Sequence, residues 1–317
     1  MEKFSHWRDK GTGIAPFLPH LSSTFATTAG VSSDAPIVLR LANILLAVLS
    51  SIVKIPLVLA IGALHFGIIS PIFPSYRVRR VSSRLLLTVI GIWYWNVGVE
   101  GARRSASRKN ASTGPNAGDI IISNFLSPLD ALVYSTVVDP VFIIPSYTGE
   151  IMVYSLLGAV LSALELPAAK SVSKPPNLAE IQAKALASHK VIVIFNEATP
   201  TNGRALLAPA MDRILDEDNH ITGKCRVFPS LIRYSPPDIT TPIPPSSSLH
   251  YLCRVTSRWK AYSVRVRIAE PLDATDKNVI VSAFDEICRI GRITRVGEEL
   301  GASSKLKFVK AWKKGRP

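Results

Sequence analysis

Val191-Ile192-Val193-Ile194-Phe195-Asn196-Glu197-Ala198-Thr199-Pro200-Thr201-Asn202-Gly203-Arg204 is the stretch on which the fold turns. Five apolar residues without a break, most of them β-branched, make a strand buried on both faces. The sequence then changes at once to Asn, Glu, Thr, Gly and Arg. A loop of that composition offers an anion several donors and a bidentate guanidinium fork. A counterpart lies upstream in Ile120-Ile121-Ile122-Ser123-Asn124-Phe125-Leu126-Ser127-Pro128-Leu129-Asp130. It too is a short apolar strand followed by a polar loop. On its own, that loop reads as a helix start, with Ser127 as N-cap and Pro128 at the first helical position. Two such loops in one chain point instead to a shared ligand site, because ligands of α/β sheets sit at the carboxyl ends of strands.

Working outward, helical periodicity covers 129–138, 150–164, 178–188, 276–291 and 305–314. Strand patterns cover 141–145, 227–234 and 262–268. Alternating strands and helices predict an α/β fold with a central mixed sheet over residues 84–300. The alternation of Arg265 and Arg267 with valine reads as protection of an edge strand.

Before this domain lies a polar, loop-like segment, 1–35, and then an apolar stretch, 36–75. Between Pro36 and Ser75 there is no acidic residue, and the full charges are Arg40 and Lys54. The runs 41–53 and 55–69 meet at Lys54–Pro56. Two arrangements compete. One is a single tilted span kinked at Pro56; the other is a re-entrant hairpin turning there. Both are helical, because lipid cannot satisfy backbone groups. Arg77, Arg79, Arg80 and Arg84, then Arg103, Arg104, Arg108 and Lys109, follow the apolar stretch, as cytoplasmic flanks do. The run 85–98, with Trp93, Tyr94 and Trp95, suits an interfacial helix or the first helix of the domain. Residues 301–317 form a basic tail that is either solvated or an amphipathic helix on anionic lipid.

Composition narrows the classes. Charged residues make up 19% of the chain, below the roughly 25% usual in soluble domains. The net charge is +14. No nucleic-acid-binding module accompanies it, so it points to membrane lipids and anionic substrates and away from nucleic acid. Cys225, Cys253 and Cys288 are widely spaced and odd in number, without metal spacing, which suits a reducing, cytosol-facing domain. No metal site or cofactor is expected. Asn110-Ala111-Ser112 is a glycosylation triplet without meaning on a cytosolic face.

The two loops resemble motifs I and III of the glycerol-3-phosphate and lysophosphatidate acyltransferase family, Asn-His-x-Ser-x-x-Asp and Phe-Pro-Glu-Gly-Thr followed by Asn-Gly-Arg. Residues 227–234, a strand carrying Pro229, are similar to motif IV. A closer resemblance, to a fungal branch of the family, extends over the whole chain. It includes the unusual string Trp7-Arg8-Asp9-Lys10-Gly11-Thr12-Gly13-Ile14-Ala15-Pro16-Phe17-Leu18-Pro19. The resemblance implies transfer of an acyl chain from acyl-CoA, as co-substrate, to the hydroxyl of a lysophospholipid, lysophosphatidate above all. It implies an endoplasmic reticulum or lipid droplet location. It implies catalytic roles for Asp130 and Ser127, and substrate binding by Asn124, Glu197, Thr199, Asn202, Gly203 and Arg204.

The sequence departs from the family at the histidine of motif I, the base that takes the acceptor's proton. That position is Phe125. Motif III has Asn196 for proline and Ala198 for glycine, and motif II is not recognisable, with Lys170 or Lys174 as possible charges near it. Without the histidine, Asp130 acting through water, His189 or His220 are the candidate bases. The rival expectation is a non-catalytic lipid-binding or scaffold protein that keeps the fold.

Overall fold

The computed structural model describes residues 2–20, 36–73, 75–99, 114–167, 176–211, 225–274 and 278–314. Helix α1 starts at Ile37 and runs as α-helix to Leu64, as a π-turn over His65–Ile69, and again as α-helix over Ser70–Ile72. Then come α2 (Tyr76–Ile90), β1 (Ile92–Val99), β2 (Ile120–Ser123), α3 (Leu129–Val137), β3 (Pro140–Ile143), β4 (Val153–Tyr154) and α4 (Leu156–Ser162). The remainder is α5 (Leu178–Ala187), β5 (Val191–Phe195), β6 (Ala205–Leu206), β7 (Arg226–Ser235), α6 (Ser248–Thr256), β8 (Tyr262–Ile268), β9 (Leu272–Asp273), α7 (Val279–Gly291), β10 (Thr294–Arg295) and α8 (Ala302–Lys314).

The expected α/β fold is present. An eight-stranded mixed sheet has the order β1-β8-β7-β2-β5-β3-β4, with β9 on β7. β2, β3, β5 and β7 are mutually parallel, so both strands that lead into the polar loops end at the same edge of the sheet. Helices cover both faces. Ile121, Val193, Phe195, Ile232 and Tyr234 pack with residues of α2, α3, α4 and α6 on one side. Ile120, Ile122, Ile192, Ile194 and Leu231 pack with α5 and α7 on the other. Doubly covered strands lose the polar alternation of exposed ones, which is why β2 and β5 are apolar throughout.

Helix α1 is continuous through Pro56, with no turn at Lys54–Pro56, so the structure takes the unbroken alternative. Its 36 residues are long and apolar enough to cross a membrane. Part of it also docks on the domain: Ser50 donates to the Thr256 carbonyl (2.9 Å), Lys54 to the Arg258 carbonyl (2.8 Å), and Val58 is buried in the core.

Four expectations are corrected. The run 85–98 is neither an interfacial nor a core helix along its length. It breaks at Gly91, whose φ of 121° ends α2, and continues as strand β1 bearing Trp93, Tyr94 and Trp95. The helix expected over 150–164 is shortened, because Val153–Tyr154 pairs with β3 and Ser155 then caps α4 by accepting from the Gly158 amide. β8 is not an edge strand; it lies between β1 and β7, so Arg265 and Arg267 need another explanation. The 301–317 segment contains α8, whose Lys305, Phe308 and Val309 are buried. Lys170, Lys174, His220, Asn110, Arg103, Arg104, Arg108 and Lys109 lie outside the described residues.

The N-terminal string and α8 share a satellite core. Phe17, Ala205, Leu207, Val296, Leu300, Phe308 and Val309 are its buried members. Phe4 meets Phe308 edge to face (5.8 Å between centroids) and Trp312 at a tilt (5.0 Å), and Asp9 accepts from the Gly297 amide. Residues 4–20 therefore form a strap across the carboxyl-terminal end of the chain. Phe308→Ala is expected to lower stability by about 3–5 kcal/mol, the usual range for a buried phenylalanine. Denaturant unfolding of the full chain checks it.

Candidate functional site

The two polar loops are hydrogen-bonded into one unit. Asn124 extends the sheet with its side chain: Nδ2 donates to the Ile232 carbonyl (3.1 Å) and Oδ1 accepts from the Ile232 amide (2.8 Å). Past this bridge the backbone leaves the sheet, and its amides need acceptors. The Glu197 carboxylate takes the Phe125 amide at 2.6 Å on one oxygen and the Leu207 amide at 2.8 Å on the other. The Phe125 carbonyl in turn accepts from the Thr201 amide (2.9 Å).

Asp130 does for the first loop what Glu197 does between loops. Oδ2 accepts from the amides of Leu126 (2.6 Å) and Ser127 (3.0 Å), and Oδ1 from the Tyr234 hydroxyl (2.7 Å). Ser127 Oγ accepts from the Leu129 amide and shares a hydrogen bond with the Tyr251 hydroxyl. Both acids are wholly buried. Burial pushes Asp130 up to about 7 against the lowering effect of its three donors, and Glu197 up to about 8 against its two amides. Burial also draws the Lys305 ammonium down to about 7, with Glu197 opposing; Lys305 donates to the Pro200 carbonyl (2.6 Å).

Phe125 fills the motif I histidine position and closes it. Its ring lies flat on Phe195, 4.5 Å between centroids, and Phe195 stacks in turn on Phe142. Ala198 has φ 58°, the left-handed conformation that motif III's glycine would take without penalty. Thr199 is buried with an unpartnered hydroxyl, and the Asn196 side-chain amide nitrogen is buried and unpartnered too, although Asn196 Oδ1 accepts from the Met211 amide.

Asn124, Ser127, Asp130, Glu197 and Thr199 are thus enclosed in one cluster, and Gly203 and Arg204 stand at its open rim. Asn202 joins that rim to the N-terminal strap. Its Nδ2 donates to the carbonyls of Ala15 (2.7 Å) and Leu18 (2.9 Å), and its amide to the Pro16 carbonyl. The strap delivers a residue that spacing could not reveal, His20. Its Nε2 lies 2.9 Å from the Asn202 carbonyl. A carbonyl only accepts, so Nε2 carries the hydrogen and Nδ1 the free lone pair. Burial lowers the His20 pKa, as does the Arg204 charge, while Asn202 and Asp238 oppose them. The imidazole is therefore neutral at neutral pH.

His189 sits elsewhere. It precedes β5, at the opposite end of the strand from the loops, roughly 15–20 Å away at 3.3 Å per residue. Asp130 has no exposed oxygen to address a water. Beside Ala198 is a cavity of about 220 Å³, lined by Ile144, Met152, Leu161 and Leu166 with Ser146 and Glu165.

A Schizosaccharomyces pombe protein carrying the provisional name lysophosphatidic acid:oleoyl-CoA acyltransferase is 32% identical over 98% of each chain. The chain belongs to this acyltransferase family. A Saccharomyces cerevisiae relative, lysophosphatidic acid:oleoyl-CoA acyltransferase 1, is 24% identical over 98% of this chain and 97% of its own. No family model matches the chain, and no solved structure matches it. Both alignments run over nearly the whole chain and are not confined to the sheet.

Two outcomes follow from the cluster. Ala198→Gly relieves a left-handed alanine, which costs about 1–2 kcal/mol, against the added freedom of the unfolded glycine, about 0.4–1 kcal/mol. A net gain between about 0 and 1.6 kcal/mol in denaturant unfolding is expected. Glu197 has a folded pKa near 8 against an unfolded 4.5. Below about 4.5 both states hold its proton, above about 8 neither does, and between these limits the folded state alone holds it. Its contribution to stability is therefore complete at low pH and lost as pH rises through 8. Glu197→Gln should flatten the fall of Tm between pH 5 and 8, measured by calorimetry.

Proposed function

We propose that the chain is an acyl-CoA-dependent O-acyltransferase that acylates lysophosphatidate to phosphatidate, with His20 as general base. The observation that carries this reading is the rim where His20, Asn202 and Arg204 meet. A neutral imidazole with its tautomer fixed stands beside the exposed guanidinium of Arg204. His20 Nδ1 takes the proton of the acceptor hydroxyl as its oxygen bonds to the thioester carbonyl carbon. The C–S bond then breaks, and the proton passes to the departing coenzyme A thiolate. Arg204 holds the acceptor phosphate. Asn124, Ser127, Asp130 and Glu197 keep the two loops in register and do not touch the reacting atoms.

The membrane reading rests on surface as well as length. α1 exposes Leu41, Leu45, Leu49, Ile52 and Leu57. Beside it, α2 exposes Val81 and Leu85 among Arg77, Arg80 and Arg84, and β1 exposes Trp93 and Tyr94. An apolar surface fringed by arginine and aromatic residues suits a bilayer interface with anionic headgroups. It supports membrane contact; with the family resemblance, we place this work at the endoplasmic reticulum or a lipid droplet, the α/β domain facing the cytosol.

A second reading, a lipid-binding or scaffold protein on the same fold, is favoured by the Phe125–Phe195 stack, which leaves motif I without its histidine base. Purified full-length protein with oleoyl-CoA and lysophosphatidate discriminates. Phosphatidate should form, His20→Ala should lower kcat by roughly 10²–10⁴, and Arg204→Ala should raise KM for lysophosphatidate. Full activity in His20→Ala would remove His20 from the mechanism. No product from the wild type with any lysophospholipid acceptor would leave the second reading.

A further inference from the structure

Arg233, Arg265, Arg267 and Arg292 surround a second cavity, of about 290 Å³, floored by Leu231, Ile290 and Gly291. Interior placement of β8 creates it. Arg265 lies opposite Arg233 on β7, and Arg267 opposite Leu231, so these side chains share the sheet face that α7 covers. Two guanidiniums are fixed by the end of α7: Arg233 donates to the Gly291 carbonyl (2.8 Å) and Arg267 to the Ile290 carbonyl (3.1 Å). Capping a helix terminus accounts for those two. It does not account for Arg265 and Arg292, which are exposed. Arg292 follows α7 with φ 48°, a position glycine usually takes. Among the described residues no carboxylate pairs with any of the four. Like charges opposite one another on a sheet repel, so the arrangement lacks its counter-charge.

A cavity lined by guanidinium forks matches phosphate oxygens. Two facts select which phosphate. α1, α2 and α6, with their exposed leucine, isoleucine and valine side chains, pack on the other face of the sheet, so the cavity opens away from the proposed bilayer side and is reached from water. It also lies at the loop end of the sheet, since Arg233 follows Ile232, the residue that Asn124 bridges. We propose that this cavity binds the phosphates of the nucleotide portion of coenzyme A, the 3′-phosphate in particular. The identity of the ligand rests on the acyl-CoA-dependent reading above.

Calorimetric titration of the full-length protein in neutral detergent tests it, with free coenzyme A and 3′-dephospho-coenzyme A as probes. Coenzyme A should bind wild type about tenfold or more tightly than the dephospho form, as expected for loss of a charge-assisted contact, and more weakly as salt rises. The Arg265→Ala/Arg292→Ala variant should lose that preference while keeping the wild-type Tm. The Arg265→Lys/Arg292→Lys variant, which keeps charge but not the fork, should fall between them. Unchanged coenzyme A affinity in both variants would overturn the proposal. So would a loss of binding confined to lysophosphatidate or phosphatidylserine vesicles. Arginine-dependent binding of coenzyme A without turnover would keep this site while the catalytic reading fails. Turnover with an unchanged KM for oleoyl-CoA in both variants would do the reverse.

Discussion

Where the chain leaves β2 and β6, the Phe125 and Leu207 amides lose their strand neighbours and turn to a single acceptor, the Glu197 carboxyl group. An unpaired buried amide costs about 1–3 kcal/mol, so each amide holds the carboxylate in place as firmly as it is held. Because Glu197 sits on one loop and Phe125 on the other, the loops cannot move independently. The clamp also explains why an acid is tolerated in the core. Burial favours its protonated form, while the two amides and the nearby Lys305, which arrives from α8, oppose that shift without reversing it. The sheet brings the loops to one edge, and this carboxylate turns adjacency into a fixed geometry.

The clamp leaves room for aromatic substitution. With Phe125 held by its backbone, its side chain is free to stack on Phe195, adding apolar contact to the core at the position of a polar, titratable group. With Asp130 wholly buried, an accessible base must then come from outside motif I. Asn202 ties the strap by three hydrogen bonds from its own side chain and amide, and its carbonyl orients His20. The unusual string ending at Pro19 thus has a physical task. Asp9, Phe17 and the carbonyls around Pro16 are the contacts by which it is docked.

The core strands were legible because burial on both faces erases alternation and leaves only β-branched runs, as at 120–122 and 191–195. The two loops were legible because polar residues cluster directly after those runs. The break at Gly91 was not, since apolar residues continue on both sides of it and only the left-handed glycine ends the helix. Interior placement of β8 was hidden because an arginine on alternate positions looks the same whether water or an anion faces it. The docking of α8 was hidden by its lysines, of which Lys305 points inward to a carbonyl and the neighbouring phenylalanine supplies the packing. His20 was invisible for a different reason: its partner is 182 residues away, and no local spacing encodes such a contact.

The sheet also separates two chemical environments. On the face toward α2 and α6, exposed leucine, tryptophan and arginine favour a lipid surface. On the face toward α7, arginines without acidic partners favour a soluble polyanion. A reaction between a water-soluble thioester and a membrane-held alcohol needs such a division, since each substrate must be drawn from its own phase. The two loops emerge at one edge of the sheet between these faces, where the rim carries His20 and Arg204, with the cavity of mixed polar and apolar lining beside Ala198. On the proposed reading, an acyl chain entering from the lipid side and a nucleotide lying on the aqueous side would bring the thioester to that same edge, where His20 stands in place of the usual motif I histidine.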